Sequence, residues 1–236
     1  MFSEWKDKKI SVINSLVEII GFSVCHQISI RSIDIGGIIM PVCARCCGFY
    51  SGAFIAAVIL FIIFRKKESE LPPKYILVIL GIFFLSFVVD GIASNSGIYN
   101  TNNNLRFITG TLFGSSIITI LYPVFTFQYY RNTKKERLFG TPFKFIIFLV
   151  IIIVFIIITL LRLDFLGRFY YYFTAFSILF TFYFINLTLF LLVPAFSKKS
   201  TKLMSRYLIL PSVLSFALLS VELYADYMFH KIINTI

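Results

Sequence analysis

Six stretches of this sequence are apolar over the length that an α-helix needs to cross a lipid bilayer. A transmembrane helix takes about 20 mostly apolar residues, and short polar breaks separate six such runs. Hydrophobic residues make up 58% of the chain and charged residues 14%. A soluble domain carries about 25% charged residues, so a soluble globular protein is excluded. The predicted spans are residues 46–64, 75–93, 105–127, 143–161, 169–196 and 207–229.

These runs predict an all-α fold, a polytopic bundle of about six transmembrane helices. A shorter apolar stretch, residues 10–24, precedes them and is interrupted by Asn14 and Glu18. It predicts a short N-terminal helix that is interfacial or half inserted, and whether it crosses the bilayer is left open. We expect one integral membrane domain over residues 1–236, in which 1–45 is the N-terminal segment and 46–236 is the transmembrane bundle.

The positions of the lysines and arginines predict the orientation of the bundle. The loops after the first, third and fifth spans hold thirteen basic residues, and the two other loops with their flanks hold three. Because basic loops stay in the cytoplasm, the segment before the first span is predicted to be extracytoplasmic. These loops also account for the net charge of +11. We therefore expect a multi-pass protein of the cell membrane, with the lipid bilayer and not nucleic acid as its partner.

All four cysteines lie in the short segment 25–47, next to the first predicted span. Such clustering is not typical of cysteines that merely fill a core. Cys43 and Cys46 have the C-x-x-C spacing that is used for metal chelation and for dithiol chemistry. Together with Cys25 and His26 they offer three thiolates and one imidazole, a set that suits zinc or another transition metal.

Three functions are compatible with this segment. The first is metal binding at the extracytoplasmic membrane face, in a structural or transport-related role. The second is a membrane thiol oxidoreductase that uses Cys43 and Cys46. The third is a non-catalytic scaffold, or a small-solute permeation protein, whose cysteines form a structural disulfide. No reaction can be read from the sequence, and it contains none of the Gly-x-Ser-x-Gly, His-Glu-x-x-His or phosphate-loop motifs that mark common enzymes.

Two short motifs in the polar segment resemble a known family. Cys-His-Gln begins at Cys25, Arg-Ser follows at Arg31, and Pro-Val-Cys-Ala-Arg-Cys begins at Pro41 at the head of an apolar run. This double motif resembles an uncharacterised family of prokaryotic integral membrane proteins, known only as a domain of unknown function. The resemblance covers about residues 24–114 and continues at Asp90-Gly91, Asn104-Leu105-Arg106, Thr109-Gly110 and Gly114.

The resemblance strengthens the prediction of a site around the cysteines without implying an activity. It makes Gln27, Arg31 and Arg45 candidates for supporting polar residues of that site. Cys47 stands where the family is expected to have threonine, so Cys47 carries less weight than the other three cysteines.

Ionisable residues inside or near the spans provide a second signal, because such residues are costly in a membrane and normally have partners or a function. Asp90 ends the second span and Arg106 opens the third. Glu222, Asp226 and His230 are spaced four residues apart and therefore share a helix face. All five are predicted to lie at the same membrane surface as the cysteine segment, and Asp90 and Arg106 are expected close to the cysteines. The alternative is that they are interfacial residues reaching water, or a simple Asp90–Arg106 ion pair.

Small and polar residues predict contacts between the helices. Gly48 and Gly52 lie four residues apart in the first span, and Gly110 and Gly114 do so in the third. This spacing is typical of helices that approach each other closely. Asn186, within the fifth span, is predicted to donate a hydrogen bond to a neighbouring helix.

Overall fold

The protein is an all-α polytopic bundle in the computed structural model, which describes residues 2–63, 68–97, 99, 101–203 and 205–233. Within this part of the chain there are seven α-helices, and six of them are long and apolar enough to cross a membrane. The helices are α1 (Phe2–Val24), α2 (Ala44–Ile63), α3 (Lys74–Asn95), α4 (Asn103–Tyr129), α5 (Pro142–Leu160), α6 (Gly167–Leu192) and α7 (Ile209–Ile233).

Helices α2 to α7 confirm the six predicted spans, and no helix end differs from its predicted position by more than four residues. The predicted end of the first span, Phe64, lies outside the described residues, as do Arg65, Lys66 and Lys67 of the first basic loop. Helix α6 ends at Leu192, four residues early, because Val193 precedes Pro194 and is extended, with ψ at 125°. A proline disfavours helical geometry in the residue before it.

Apolar side chains cover the outer faces of the bundle and contact the lipid bilayer. Helix α2 is 56% buried and α4 is 61% buried, whereas only 17% of α3 and of α7 is buried within the protein. The exposed side chains of α5 include Phe143, Ile146 and Val150. The burial of α2 and α4 places them at the centre of the bundle, whereas α3, α5 and α7 present most of their surface to lipid.

The contact between α2 and α4 depends on glycine. A Cβ atom on Gly48 would overlap the carbonyl oxygen of Phe107, and one on Gly114 would overlap the carbonyl oxygen of Phe49. The two backbones therefore approach as closely as the predicted glycine pairs allow, which is how membrane helices gain packing contacts without a hydrophobic driving force. This contact holds the first turn of α2, which carries Cys46, in a fixed place.

A β-hairpin that the sequence analysis did not predict precedes α2. Strands β1 (Ser32–Ile35) and β2 (Ile38–Cys43) pair in antiparallel fashion. Gly36 and Gly37 connect them at φ values of +61° and +74°, and two consecutive positive φ angles are the requirement of a two-residue hairpin turn. The hairpin packs on α1 and α6 and runs directly into α2.

The two ends of the bundle differ in character. The cysteine end is where α2, α4 and α6 begin and α3, α5 and α7 finish; it holds the hairpin. The basic end is the opposite one, where β3 (Glu68–Glu70) pairs in parallel with β4 (Lys134–Arg137). There the buried carboxylate of Glu68 accepts a hydrogen bond from Lys144 at 3.3 Å.

Candidate metal centre

Three cysteines meet at the cysteine end of the bundle. Cys25 directly follows α1, Cys43 is the last residue of β2, and Cys46 lies in the first turn of α2. Their three Sγ atoms all lie within 4.8 Å of one another. None of them forms a disulfide; Cys25 is buried, and Cys43 and Cys46 are half-buried. The chain thus brings three free thiols from three different elements to one point.

Gln27 joins the two chain segments that carry Cys25 and Cys43. Its side-chain amide donates to the carbonyl oxygen of Pro41 at 2.9 Å and to that of Glu18 at 3.0 Å. Gln27 itself adopts a positive φ of 49°, which is uncommon for a residue other than glycine. The result is a sharp turn after α1 that places Cys25 beside β2, where the Cys43 amide donates to the Cys25 sulfur at 3.3 Å.

The thiols alter each other's protonation. The hydrogen bond from the Cys25 thiol lowers the pKa of Cys43 well below that of an ordinary thiol, and a second bond from Cys46 acts in the same direction. The same contact raises the pKa of Cys25, because there the proton is held between two sulfurs. The lowered pKa favours the thiolate form of Cys43, and the thiolate is the form that binds metals and attacks disulfides.

Cys47 does not belong to this group. Its side chain is completely buried, and its sulfur lies 3.6 Å from the hydroxyl of Thr174 on α6. Adjacent residues of a helix point about 100° apart, so Cys47 faces the helix interface when Cys46 faces the hairpin. Cys47, which carries less weight than the other cysteines in the family resemblance, thus lies outside the group of three sulfurs.

His26 lies in the wall of the cysteine cavity, a space of about 200 Å³. Its exposed ring packs edge to face against the ring of His230 on α7, with 4.7 Å between the ring centroids. In the described part of the chain, the group of ligand atoms within 4.8 Å of one another contains only the three cysteines. His26 is therefore near the sulfurs but is not packed among them. The cavity is lined by Val24, Cys25, His26, Ile28, Arg31, Cys43 and Cys46.

Arg45 lies between Cys43 and Cys46 in the sequence and forms an ion pair with Asp90 of α3. Its Nε donates to Asp90 Oδ2 at 2.9 Å, and its Nη2 donates to the hydroxyl of Ser94 at 3.0 Å. Asp90 also accepts hydrogen bonds from Tyr99 and Thr109, and the first of these raises the pKa of the Tyr99 hydroxyl. The Asp90 side chain is only 3% exposed. Both of its carboxylate oxygens nevertheless have partners, since Oδ2 accepts from Arg45 and Oδ1 accepts from Tyr99.

Arg106 is near this pair without being its partner. Its guanidinium donates to the side chain of Asn103 at 3.2 Å, so the Asp90–Arg106 ion pair that the sequence offered as an alternative is replaced by Arg45–Asp90. The sequence reasoning did not identify Tyr99 or Ser94, and it named Thr109 only as part of the family resemblance. The only available signal was the run of small polar residues between the second and third spans.

The ionisable residues Glu222, Asp226 and His230 are spread along the axis of α7. His230 reaches His26, and its Nδ1 lies 3.0 Å from the Asp226 carbonyl oxygen. Glu222 is eight residues, or about 12 Å, further into the bundle. There it accepts a hydrogen bond at 2.8 Å from the buried Asn186 of α6, the interhelical donor predicted from the sequence. The structure thus brings His230 to the cysteine end but places Glu222 away from it.

Part of the chain is similar to a known family of membrane proteins. The family model described as "Predicted membrane protein (DUF2085)" matches residues 25–120, a range that starts at Cys25 and includes α2, α3 and most of α4. An uncharacterised protein of Methanocaldococcus jannaschii is 34% identical over 111 residues, which cover 47% of this chain and 69% of that protein.

An uncharacterised protein of Methanothermobacter thermautotrophicus is 33% identical over 87 residues, which cover 37% of this chain and 74% of that protein. No solved structure matches the chain. Because the archaeal relatives are matched over more than two thirds of their own length, the chain belongs to the DUF2085 family of predicted membrane proteins.

Proposed function

We propose that this membrane protein binds a transition-metal ion of the zinc class through Cys25, Cys43 and Cys46. The observation that carries the proposal is the convergence of the three free sulfurs within 4.8 Å. Around a tetrahedral zinc with bonds of about 2.3 Å, sulfur atoms lie about 3.8 Å apart. The three thiols therefore need to move by only about an ångström or less to bind such an ion.

The fourth coordination position decides whether the ion is structural or exchangeable. Structural zinc sites have four protein ligands, whereas sites that act on a substrate or pass on an ion keep one position open. His26 offers an imidazole in the wall of the same cavity, and its contact with His230 keeps that ring away from the sulfurs. We favour three thiolates plus an exchangeable position, with His26 able to swing in, because this arrangement suits capture and transfer of the ion.

The metal content of the purified protein tests this proposal. We expect about one zinc per chain after exposure to zinc, and its loss when Cys43→Ser removes the thiolate. Cys47→Ser is the matched control, since it also removes one thiol from the same stretch but leaves the three-sulfur group intact. Atomic-emission analysis of gel-filtered protein gives the stoichiometry. Equal zinc content in the two variants would contradict the proposal.

A thiol oxidoreductase is the second candidate, because the lowered pKa of Cys43 favours its thiolate and Cys46 follows three residues later. In that reaction Cys43 attacks a disulfide substrate, which releases one substrate thiol and leaves a mixed disulfide on Cys43. Cys46 then attacks the Cys43 sulfur, which releases the second substrate thiol and forms a Cys43–Cys46 disulfide. Two thiols thereby lose two electrons and two protons to the substrate. Incubation with glutathione disulfide distinguishes the candidates. If the protein is an oxidoreductase, two free thiols per chain should be lost in this assay even when zinc has been added. If the cysteines are a metal site, added zinc should protect them from this loss.

We also propose that the cysteine end of the bundle faces the extracytoplasmic side of the membrane. Residues 1–236 form one integral membrane domain in this proposal. Packing of α1 on α7 and of the hairpin on α6 supports treating 1–45 and 46–236 as one unit. The cytoplasmic side is assigned to the basic end because lysine and arginine are retained there. On this account the positive charge serves orientation in the membrane and not nucleic-acid binding.

Cysteine labelling in intact cells tests the orientation. In a background with the four native cysteines replaced by alanine, we expect Ser96→Cys at the cysteine end to react with a membrane-impermeant maleimide. We expect Lys199→Cys at the basic end to react only after the cells are lysed. Both side chains are exposed, so accessibility within the fold does not decide the result. If only Lys199→Cys reacted in intact cells, the topology would be the reverse of the one proposed.

A further inference from the structure

Three arginines gather beside the cysteine cavity with one carboxylate among them. Arg45 is paired with Asp90, and Arg106 donates to the neutral side chain of Asn103. The guanidinium of Arg31 is exposed and has no hydrogen-bond or ion-pair partner among the described residues. The charges of Arg31 and Arg45 both act on Arg106. This corner of the protein therefore carries an excess of positive charge.

A cavity of about 470 Å³ opens between two of these arginines, Arg31 and Arg45, and helix α3. Arg31 and Arg45 line its polar part, and Ser94 and Ser96 add hydroxyl groups. Its other wall consists of apolar residues of α3, a helix of which only 17% is buried within the protein. The apolar wall is formed by Phe87, Val88 and Ile92. A polar, cationic head and an apolar wall that continues onto the lipid-facing surface thus meet in one space.

We propose that this cavity binds the phosphate group of an anionic membrane lipid. Guanidinium groups bind phosphate oxygens in a bidentate manner, and Arg31 has its donors available for this role. The acyl chains would then lie along Phe87, Val88 and Ile92. A free phosphate ion offers the same charge but would leave that apolar wall uncovered, so the wall favours a lipid. This inference is independent of the proposed metal site.

Native mass spectrometry of the 236-residue chain in detergent, titrated with phosphatidylglycerol, tests the proposal. We expect one lipid to bind and Arg31→Gln to weaken its affinity about fivefold, the contribution of one arginine at an anionic lipid surface. Arg31→Lys should retain part of the affinity, since it keeps the charge but loses the planar donor pair. Arg168→Gln is the control, because Arg168 is exposed near the same end of the bundle but does not line this cavity.

Competition with inorganic phosphate and with phosphatidylcholine identifies the ligand. The proposal predicts that neither displaces phosphatidylglycerol at equal concentration. Displacement by inorganic phosphate would show that the site takes the free ion and would overturn the lipid assignment. An equal loss of affinity in Arg31→Gln and Arg168→Gln would also overturn the proposal, since it would mean that surface charge in general, and not this cavity, attracts the lipid.

Discussion

Gly114→Leu is expected to abolish folding of the bundle, whereas Gly81→Leu is expected to be tolerated. Even a Cβ atom on Gly114 would overlap the backbone of Phe49 on α2, so leucine would force α2 and α4 apart along their central contact. Overpacking costs typically 1–3 kcal/mol and occasionally more. We expect a loss above about 3 kcal/mol, because the obstructing atom is backbone and cannot move aside as a side chain can.

Gly81 provides the matched control for this substitution. It also lies inside a transmembrane helix, but a Cβ atom there meets no heavy atom within 4 Å. Leucine at Gly81 should be neutral or slightly stabilising, because leucine favours a helix more than glycine does. Thermal unfolding in detergent and the elution profile in size-exclusion chromatography give the comparison. Similar behaviour of the two variants would show that the close α2–α4 approach is not required.

Asp90→Leu is the second change with a large expected effect. It removes the buried carboxylate that pairs with Arg45 and accepts hydrogen bonds from Tyr99 and Thr109. Removing one partner of a buried ion pair costs about 3–5 kcal/mol, because the remaining charge has no partner. We expect a fall in unfolding free energy of this order. The reactivity of Cys46 toward a thiol reagent should rise, since Arg45 fixes the first turn of α2.

The double variant Arg45→Met with Asp90→Leu separates ion pairing from packing. Replacing both members of a buried ion pair by apolar residues is often nearly neutral, so the double variant should recover most of the stability that Asp90→Leu loses. Chemical unfolding of the wild type, both single variants and the double variant gives the coupling energy. Additive losses in the double variant would mean that the Arg45–Asp90 pair contributes little and that Asp90 acts through other contacts.

The spans could be predicted from the sequence because a single requirement, about 20 apolar residues, fixes their length. The hairpin β1–β2 escaped prediction although its signals were present. Gly36-Gly37 is a typical two-residue turn, and the strands on either side bury Ile33, Ile35, Met40 and Val42. Pro41 lies within β2, and proline is tolerated in short strands at the edge of a sheet.

Three of the four predicted ligands, the cysteines, lie together in the structure, but their geometry could not be predicted from the sequence. The C-x-x-C spacing singled out Cys43 and Cys46, and the clustering of the cysteines in residues 25–47 added Cys25. It could not show that Gln27 ties Cys25 to β2, since that contact depends on the fold of the segment between them. The choice of Arg45 rather than Arg106 as the partner of Asp90 depends on how α3 and α4 pack, and the order of residues along the chain does not reveal that packing.

X-ray absorption at the zinc K-edge of the zinc-loaded protein tests the central claim most directly, because it reports the atoms bound to the metal. The account predicts three sulfur neighbours at about 2.3 Å, with one lighter atom at about 2.0–2.1 Å. Cys47→Ser should leave this shell unchanged, whereas Cys25→Ser should remove one sulfur from it. A shell made only of nitrogen and oxygen in the wild type would contradict the account, because zinc would then be bound away from Cys25, Cys43 and Cys46.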